Sequence, residues 1–176
     1  MRFLHTSNRL RFFTVIVTLL ALTACGFQLR GVTNLSFKTL YIQGPKLSVH
    51  RELVQSIKNN NIVIVNEIEN ADVVLELMNE SSQKRILSLS GTGKVREYEL
   101  NYEVNFKMRE ASNPIWNKTQ TAKMRRDYSY NDQLLLGKGE EEARINNDMR
   151  SDAVREIVRR LSAFKVTASP AKTSAE

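Results

Sequence analysis

Covalent catalysis and metal binding need nucleophiles, proton carriers or soft ligands, and this chain has few of them. It holds one cysteine, Cys25, and two histidines, His5 and His50. Zinc sites of the Cys/His type take about four such ligands, so the count nearly excludes them. A single cysteine cannot close an intramolecular disulfide. Ser-His-Asp chemistry would run through His50, and no Gly-x-Ser-x-Gly elbow accompanies it. Gly91-Thr92-Gly93-Lys94 invites a phosphate-loop reading that fails at both ends. Ser88 stands where the Walker loop needs its first glycine, and Val95 stands where it needs a hydroxyl. Arg96 occupies the place of the third glycine of a dinucleotide fingerprint. The four residues read as a hairpin turn. Glu97, Glu99 and Glu103 share one strand face, as paired carboxylates would, but without a cleft signal they read as a solvated face. No metal, cofactor or enzymatic role emerges.

The basic residues are more informative. Lys118, Lys123, Arg125 and Arg126 fall in one extended segment with Tyr128 and Tyr130 just beyond, and Lys84, Arg85, Lys94 and Arg96 flank the neighbouring turn. Two readings stand. Cations protect a sheet edge from pairing with other chains. Arginine also offers a two-pronged donor to phosphate or carboxylate groups.

The chain has 176 residues, room for one domain, with Lys+Arg 26 against Asp+Glu 19 and a net charge of +7. Part of that charge belongs to an address. Arg2, Arg9 and Arg11 precede the apolar run Phe12 to Leu22, which as a helix spans roughly 16 Å. The hydrocarbon core is about 30 Å thick, so the run reads as a secretory signal peptide, not a membrane span. Leu22-Thr23-Ala24-Cys25 at its end resembles the lipobox of bacterial lipoproteins. The resemblance implies S-diacylglycerol and N-palmitoyl groups on Cys25 and cleavage before it. One acyl chain binds membranes only at about 10⁴ M⁻¹, which is why stable anchoring takes more than one. Gly26, not Asp, follows; by resemblance to enterobacterial sorting rules this favours the outer membrane. Without residues 1–24, which carry three arginines and no acids, 23 basic and 19 acidic residues remain, net +4.

The elements follow from periodicity. Leu35 to Gln43 reads as a strand broken by Gly44-Pro45. Ser48 is the expected N-cap of a helix to about Asn60, with Val49, Leu53, Val54 and Ile57 as its apolar stripe. Asn59-Asn60-Asn61 suits its end. Ile62 to Val65 reads as a short buried strand. Asp72 to Ser90 reads as one long bulged strand or two segments, then a turn at Ser90 to Gly93. Lys94 to Arg109 alternates strictly: Tyr98, Leu100, Tyr102, Val104, Phe106 and Met108 on one face; Glu97, Glu99, Asn101, Glu103, Asn105 and Lys107 on the other. Ala111 to Pro114 turns the chain, and Ile115 to Tyr130 returns as its partner. Gly137-Lys138-Gly139 interrupts before a helix from about Glu140 to Phe164, with acids near its start and bases toward its end, as the helix dipole favours. The expected fold is α+β: a two-layer sandwich, two helices packed on one face of a mostly antiparallel four- to five-stranded sheet. The expected divisions are 1–24 (signal), 25–166 (single domain) and 167–176 (disordered tail).

Cys25-Gly26-Phe27-Gln28-Leu29-Arg30-Gly31 resembles the opening of mature lipoproteins of the LptE family, which serve lipopolysaccharide (LPS) assembly. Further matches lie at Glu97 to Leu100, Arg126-Asp127-Tyr128 with Asn131-Asp132, and Arg159-Arg160-Leu161. The resemblance covers about residues 25–164. It implies a lipid-anchored protein at the inner leaflet of the outer membrane. Such a protein would plug the LptD β-barrel, assist its assembly and bind LPS in transit, without covalent chemistry and without nucleic acid. It also implies a ligand-binding region around Lys138 and the 90–96 turn, with Lys138, Arg126, Arg96 and Arg85 as the LPS-binding candidates. Relatives carry an arginine where Ser90-Gly91 stand; Arg85 or Arg96 compensates in this reading. The alternative is an envelope lipoprotein that binds peptidoglycan or another envelope protein.

Overall fold

The computed structural model describes residues 35–130 and 135–166, with side chains in the second segment from Gly139 onward. The expected signal segment 1–24, Cys25, Asn131-Asp132 and the tail 167–176 lie outside the described residues. The elements run β1 (Thr39–Gln43), α1 (His50–Asn59), β2 (Val63–Val65), a single 3₁₀ turn (Ile68–Asn70), β3 (Val73–Leu89), β4 (Val95–Glu110), β5 (Gln120–Ser129) and α2 (Leu135–Ala163).

The five strands form one sheet in the order β2-β1-β3-β4-β5. β1 is parallel to both β2 and β3, whereas β3, β4 and β5 are successively antiparallel. The sheet is therefore mixed. Two parallel strands need a crossover, and α1 supplies it between β1 and β2.

Both helices cover one face, in the expected two-layer α+β sandwich. Leu53 and Ile57 of α1 and Met149, Ala153, Ile157 and Leu161 of α2 join Leu100, Tyr102, Val104, Phe106 and Met108 of β4 in one core. The even-numbered residues of β4 supply that face because side chains alternate along a strand. Each fully buried large apolar side chain contributes about 1.5–3 kcal/mol, so this layer holds the fold.

Several expectations change. β2 is not buried: Val63 is 61% exposed. It is a three-residue edge strand, with a neighbour on one side only. Ser48 does not cap α1 with its side chain. Val49 is the N-cap residue, and Ser48 instead donates its N–H and hydroxyl to the Glu80 carboxylate of β3, at 2.9 and 2.8 Å. The asparagine stop holds, with Asn61 at φ 60°, the left-handed conformation. β3 is one continuous strand, with irregularities between Leu77 and Asn79 and around Ser88.

β5 starts at Gln120, later than Ile115. The guanidinium of Arg109 collects the carbonyls of Glu110, Ala111 and Asn113, which curls the chain away from the ladder. α2 begins at Leu135, so Gly137-Lys138-Gly139 is helical and no loop. Two glycines cost about 1 kcal/mol each inside a helix, which a 29-residue helix absorbs. A β-carbon on Gly139 would meet nothing within 4 Å. The first turn of α2 thus contains no acid, and Glu140-Glu141-Glu142 fall one turn later than the dipole argument assumed.

Candidate functional site

β3 and β4 are 17 and 16 residues long and rise together for about 55 Å. Their far end is the Ser90-Lys94 turn, closed by Ser90 N–H to the Lys94 carbonyl at 2.7 Å and the Gly93 N–H to the Ser90 carbonyl at 2.9 Å. Gly93 has φ +79°, which explains a glycine there. Ile86, Leu87 and Leu89 are more than 40% exposed near this end.

On the helix side, Lys84 reaches from β3 to Glu142 of α2 at 2.6 Å and lies 4.1 Å from the centre of the Tyr98 ring. Tyr128 donates its hydroxyl to the same carboxylate at 2.7 Å. Tyr98 stacks on Tyr128 and meets Tyr130 edge-on. Burial opposes charge on Glu142, but the Lys84 and Tyr128 hydrogen bonds outweigh it and hold its carboxyl below the ordinary range. This cluster ties the early part of α2 to the long hairpin.

The opposite face of the sheet carries the odd-numbered residues of β4 and their neighbours. Three ion pairs form within it: Lys107 with Glu76 at 3.3 Å, Lys123 with Glu103 at 2.6 Å, and Arg125 with Glu99 at 2.7 Å, while Glu97 accepts the Ser88 hydroxyl at 2.6 Å. Glu99 is the exception to the solvated-face expectation, since it has no exposed surface. Arg85 of β3 lies directly opposite Glu99 in the ladder and pairs with one carboxylate oxygen through Nε; Arg125 of β5 pairs with the other. The cover is one layer thick, because the two arginine side chains are themselves 67% and 55% exposed. The Arg85 hydrogen bond, with the Asn101 amide and then the Arg125 charge, pulls the Glu99 carboxyl below its ordinary range. At the lower end, Trp116 lies 4.5 Å from Lys107 Nζ and 5.1 Å from the Arg109 guanidinium.

The expected ligand residues with described side chains, Arg85, Arg96 and Arg126, are not all on one face of the sheet. Arg85 is on the open sheet face, over Glu99. Arg126 pairs across β4 with Leu100, a residue of the helix-side core, and its guanidinium meets Asp152 of α2. Arg96 stands near the hairpin end beside Ser88, Leu89, Glu97, Ser129 and Tyr130. Lys138 belongs to the first turn of α2, and its side chain lies outside the described residues. Edge protection fits Lys123 and Arg125, which sit on the edge strand β5 and are paired. The enclosed Glu99 was missed; its signal was the arginine-rich neighbourhood on both flanking strands, visible only once the register is known.

Among the described residues no group of three or more His, Cys, Asp or Glu is placed to hold a metal ion. Fold and surface define an α+β sandwich with helices on one side and a polar, internally paired sheet face on the other. Residues 37–161 match the family model described as "LptE: Lipopolysaccharide-assembly", and the chain belongs to the LptE family. It is 33% identical over 162 residues to the LPS-assembly lipoprotein LptE of Photorhabdus laumondii, covering 87% of this chain and 86% of that protein. The solution NMR structure of an uncharacterized lipoprotein B from Nitrosomonas europaea superposes with TM-score 0.70 at 36% identity, over 79% of this chain and 92% of that one. The crystal structure of the rare lipoprotein B from Shewanella oneidensis gives TM-score 0.65 at 26% identity, over 72% of this chain and 95% of that one.

Proposed function

We propose that this chain is an outer-membrane lipoprotein, lipidated on Cys25 and held at the periplasmic leaflet. In this reading residues 1–24 are its removed signal, residues 25–166 its single folded domain and residues 167–176 a disordered tail. It plugs an LptD-like β-barrel, assists that barrel's assembly and binds LPS during insertion into the outer leaflet. Its role is binding and scaffolding, with no bond made or broken in the ligand.

The observation that carries this reading is the paired open face of the sheet. A protein enclosed in a water-lined barrel must cover polar surface without stranding charge, since an unpartnered buried charge is costly. Here Glu76, Glu99 and Glu103 each meet a cation of the same face. Such a face withstands coverage by another protein. Exposed pairs of this type add only about 0–1 kcal/mol each to stability, so their value lies in compatibility with a partner more than in holding the fold.

The test is co-purification. Tagged wild-type protein from mildly solubilised outer membranes is expected to bring down the large barrel, and depletion is expected to lower surface LPS. Retention on isolated cell-wall sacculi, with surface LPS unchanged on depletion, would instead establish the peptidoglycan-binding alternative. Mass spectrometry of the mature protein showing an unmodified Cys25 would refute the anchor.

A further inference from the structure

The end of the sandwich remote from the Ser90-Lys94 turn gathers several chain ends. β1 starts there at Thr39, beside Val63 at the start of β2. Asp72 leads into β3 there and Ala111 leaves β4, joined by the Ala111 N–H to the Asp72 carbonyl at 2.9 Å. α1 runs back to this end to meet β2. α2 finishes at it too, since Ser36 donates its hydroxyl to the Phe164 carbonyl at 2.8 Å. A lipid on Cys25 therefore joins the domain at this end. The 14 residues from Cys25 to Thr39 (39 − 25) span at most roughly 50 Å. A tether alone leaves a domain free to tumble, so a fixed orientation needs a second contact.

The side chains at this end have the chemistry for one. Arg109 gathers the carbonyls of Glu110, Ala111 and Asn113, and the Asn113 side-chain oxygen accepts the Ile115 N–H at 2.9 Å. The loop so held leaves Ile115 74% exposed. A single exposed apolar residue is ordinary; its neighbours give this one meaning. Trp116 follows it, only half-buried, with its ring against Lys107 and Arg109. Lys58 lies in the last turn of α1, Lys118 just before β5 and Lys165 just after α2, and all three are exposed. None of the three makes an ion pair or a side-chain hydrogen bond among the described residues. Lys107 and Lys123 of the open face, by contrast, are paired. Indole rings settle at headgroup depth in a bilayer, and lysines are drawn to anionic phospholipid.

We infer that this end is a membrane-docking surface of the lipoprotein before a barrel encloses it. Ile115 enters the interface, Trp116 lies at headgroup depth, and Lys58, Lys118 and Lys165 meet phospholipid phosphates. The long hairpin then points away from the bilayer. The inference rests on the proposed lipid anchor at Cys25, which brings this end to the membrane.

Trp116 is the only tryptophan of the chain and reports on the contact directly. The test uses the mature lipidated protein in vesicles of phosphatidylethanolamine and phosphatidylglycerol, with acyl chains brominated near the headgroup. Trp116 emission is expected to shift to the blue and to be quenched at least two-fold relative to unbrominated vesicles. Ile115→Ser with Lys118→Glu, both exposed positions, is expected to abolish most of that quenching while the protein still floats with the vesicles. Quenching unchanged in this double variant would mean that the tether alone brings Trp116 near lipid, and would overturn the inference. Wild-type protein that floats but is not quenched would also overturn it and leave the anchor standing. If Trp116 is then shielded from iodide only in the co-purified barrel complex, this end belongs to the barrel instead. Protein that does not float at all would remove the anchor reading itself.

Discussion

The Nε of Arg125 lies 2.7 Å from one oxygen of Glu99, and the Nε of Arg85 takes the other. One carboxylate on β4 thus joins the flanking strands β3 and β5 on the face opposite the helices. Glu99→Ala is expected to lower Tm more than Glu99→Gln, because the alanine leaves two adjacent guanidiniums with nothing between them. Thermal denaturation of both variants checks this; equal Tm values in wild type and Glu99→Ala would show the triad to be ornamental to stability.

Tyr128 and Lys84 converge on Glu142. Tyr128→Phe removes one hydrogen bond without changing ring packing and is expected to cost about 0.5–1.5 kcal/mol in denaturant unfolding. Amide exchange over residues 139–146 is expected to quicken in the same variant, since this cluster ties that part of α2 to the hairpin. Exchange unchanged there would mean the apolar stripe alone holds the helix.

The acid side of the stability profile follows from five carboxylates. For Asp72, burial opposes ionisation, but the N–H groups of Lys38 and Thr39 outweigh it; for Glu80 the Tyr102 and Ser48 hydrogen bonds do the same. Arg160 and Arg159 do so for Glu156, and Lys84 and Tyr128 for Glu142. Glu99 is lowered by the Arg85 hydrogen bond first. All five hold fewer protons folded than unfolded, so stability rises with pH through this range. It is expected to be full above the ordinary values of 3.8 for aspartate and 4.5 for glutamate, and to fall as pH drops through the lower folded values. Urea midpoints from pH 6 to pH 2.5 measure it, and Glu80→Gln is expected to flatten the curve.

Gly44 has φ +102°, and a β-carbon there would collide with the carbonyl oxygen of Leu77 in β3. Gly44→Ala combines left-handed strain, of order 1–3 kcal/mol, with that collision. A Tm loss of several degrees is expected. An unchanged Tm would mean that β1 and β3 can move apart at this point.

Arg126 and Asp152 separate fold from ligand chemistry. Arg126→Asp alone puts two acids together and is expected to destabilise. The exchange Arg126→Asp with Asp152→Arg is expected to restore Tm. If Arg126 also meets LPS, the exchanged protein binds it more weakly, and more weakly still with Lys138→Asp; unchanged LPS capture in the exchanged protein would assign Arg126 to structure alone.

The strict alternation of residues 94–109 and the apolar stripes of both helices made the α+β sandwich legible in advance, because burial on one face writes a period into the chain. The parallel pairing of β1 with β2 and β3 was not part of that expectation, which had a mostly antiparallel sheet. What misled was local. A glycine-lysine-glycine stretch read as a break is carried through by a long helix, since neighbouring turns supply its hydrogen bonds. A β-branched run read as core is a sheet edge, since hydrophobicity says nothing about how many neighbours a strand has.

The sequence by itself determined the elements, the buried faces and the lipobox-like Cys25, all properties carried by residues near one another in the chain. Only the tertiary structure decided the charge partners. Arg85, Glu99 and Arg125 span 40 positions, and Arg126 finds Asp152 on another element. The reason is register: a shift of one residue turns each of these side chains to the opposite face, and composition cannot express it.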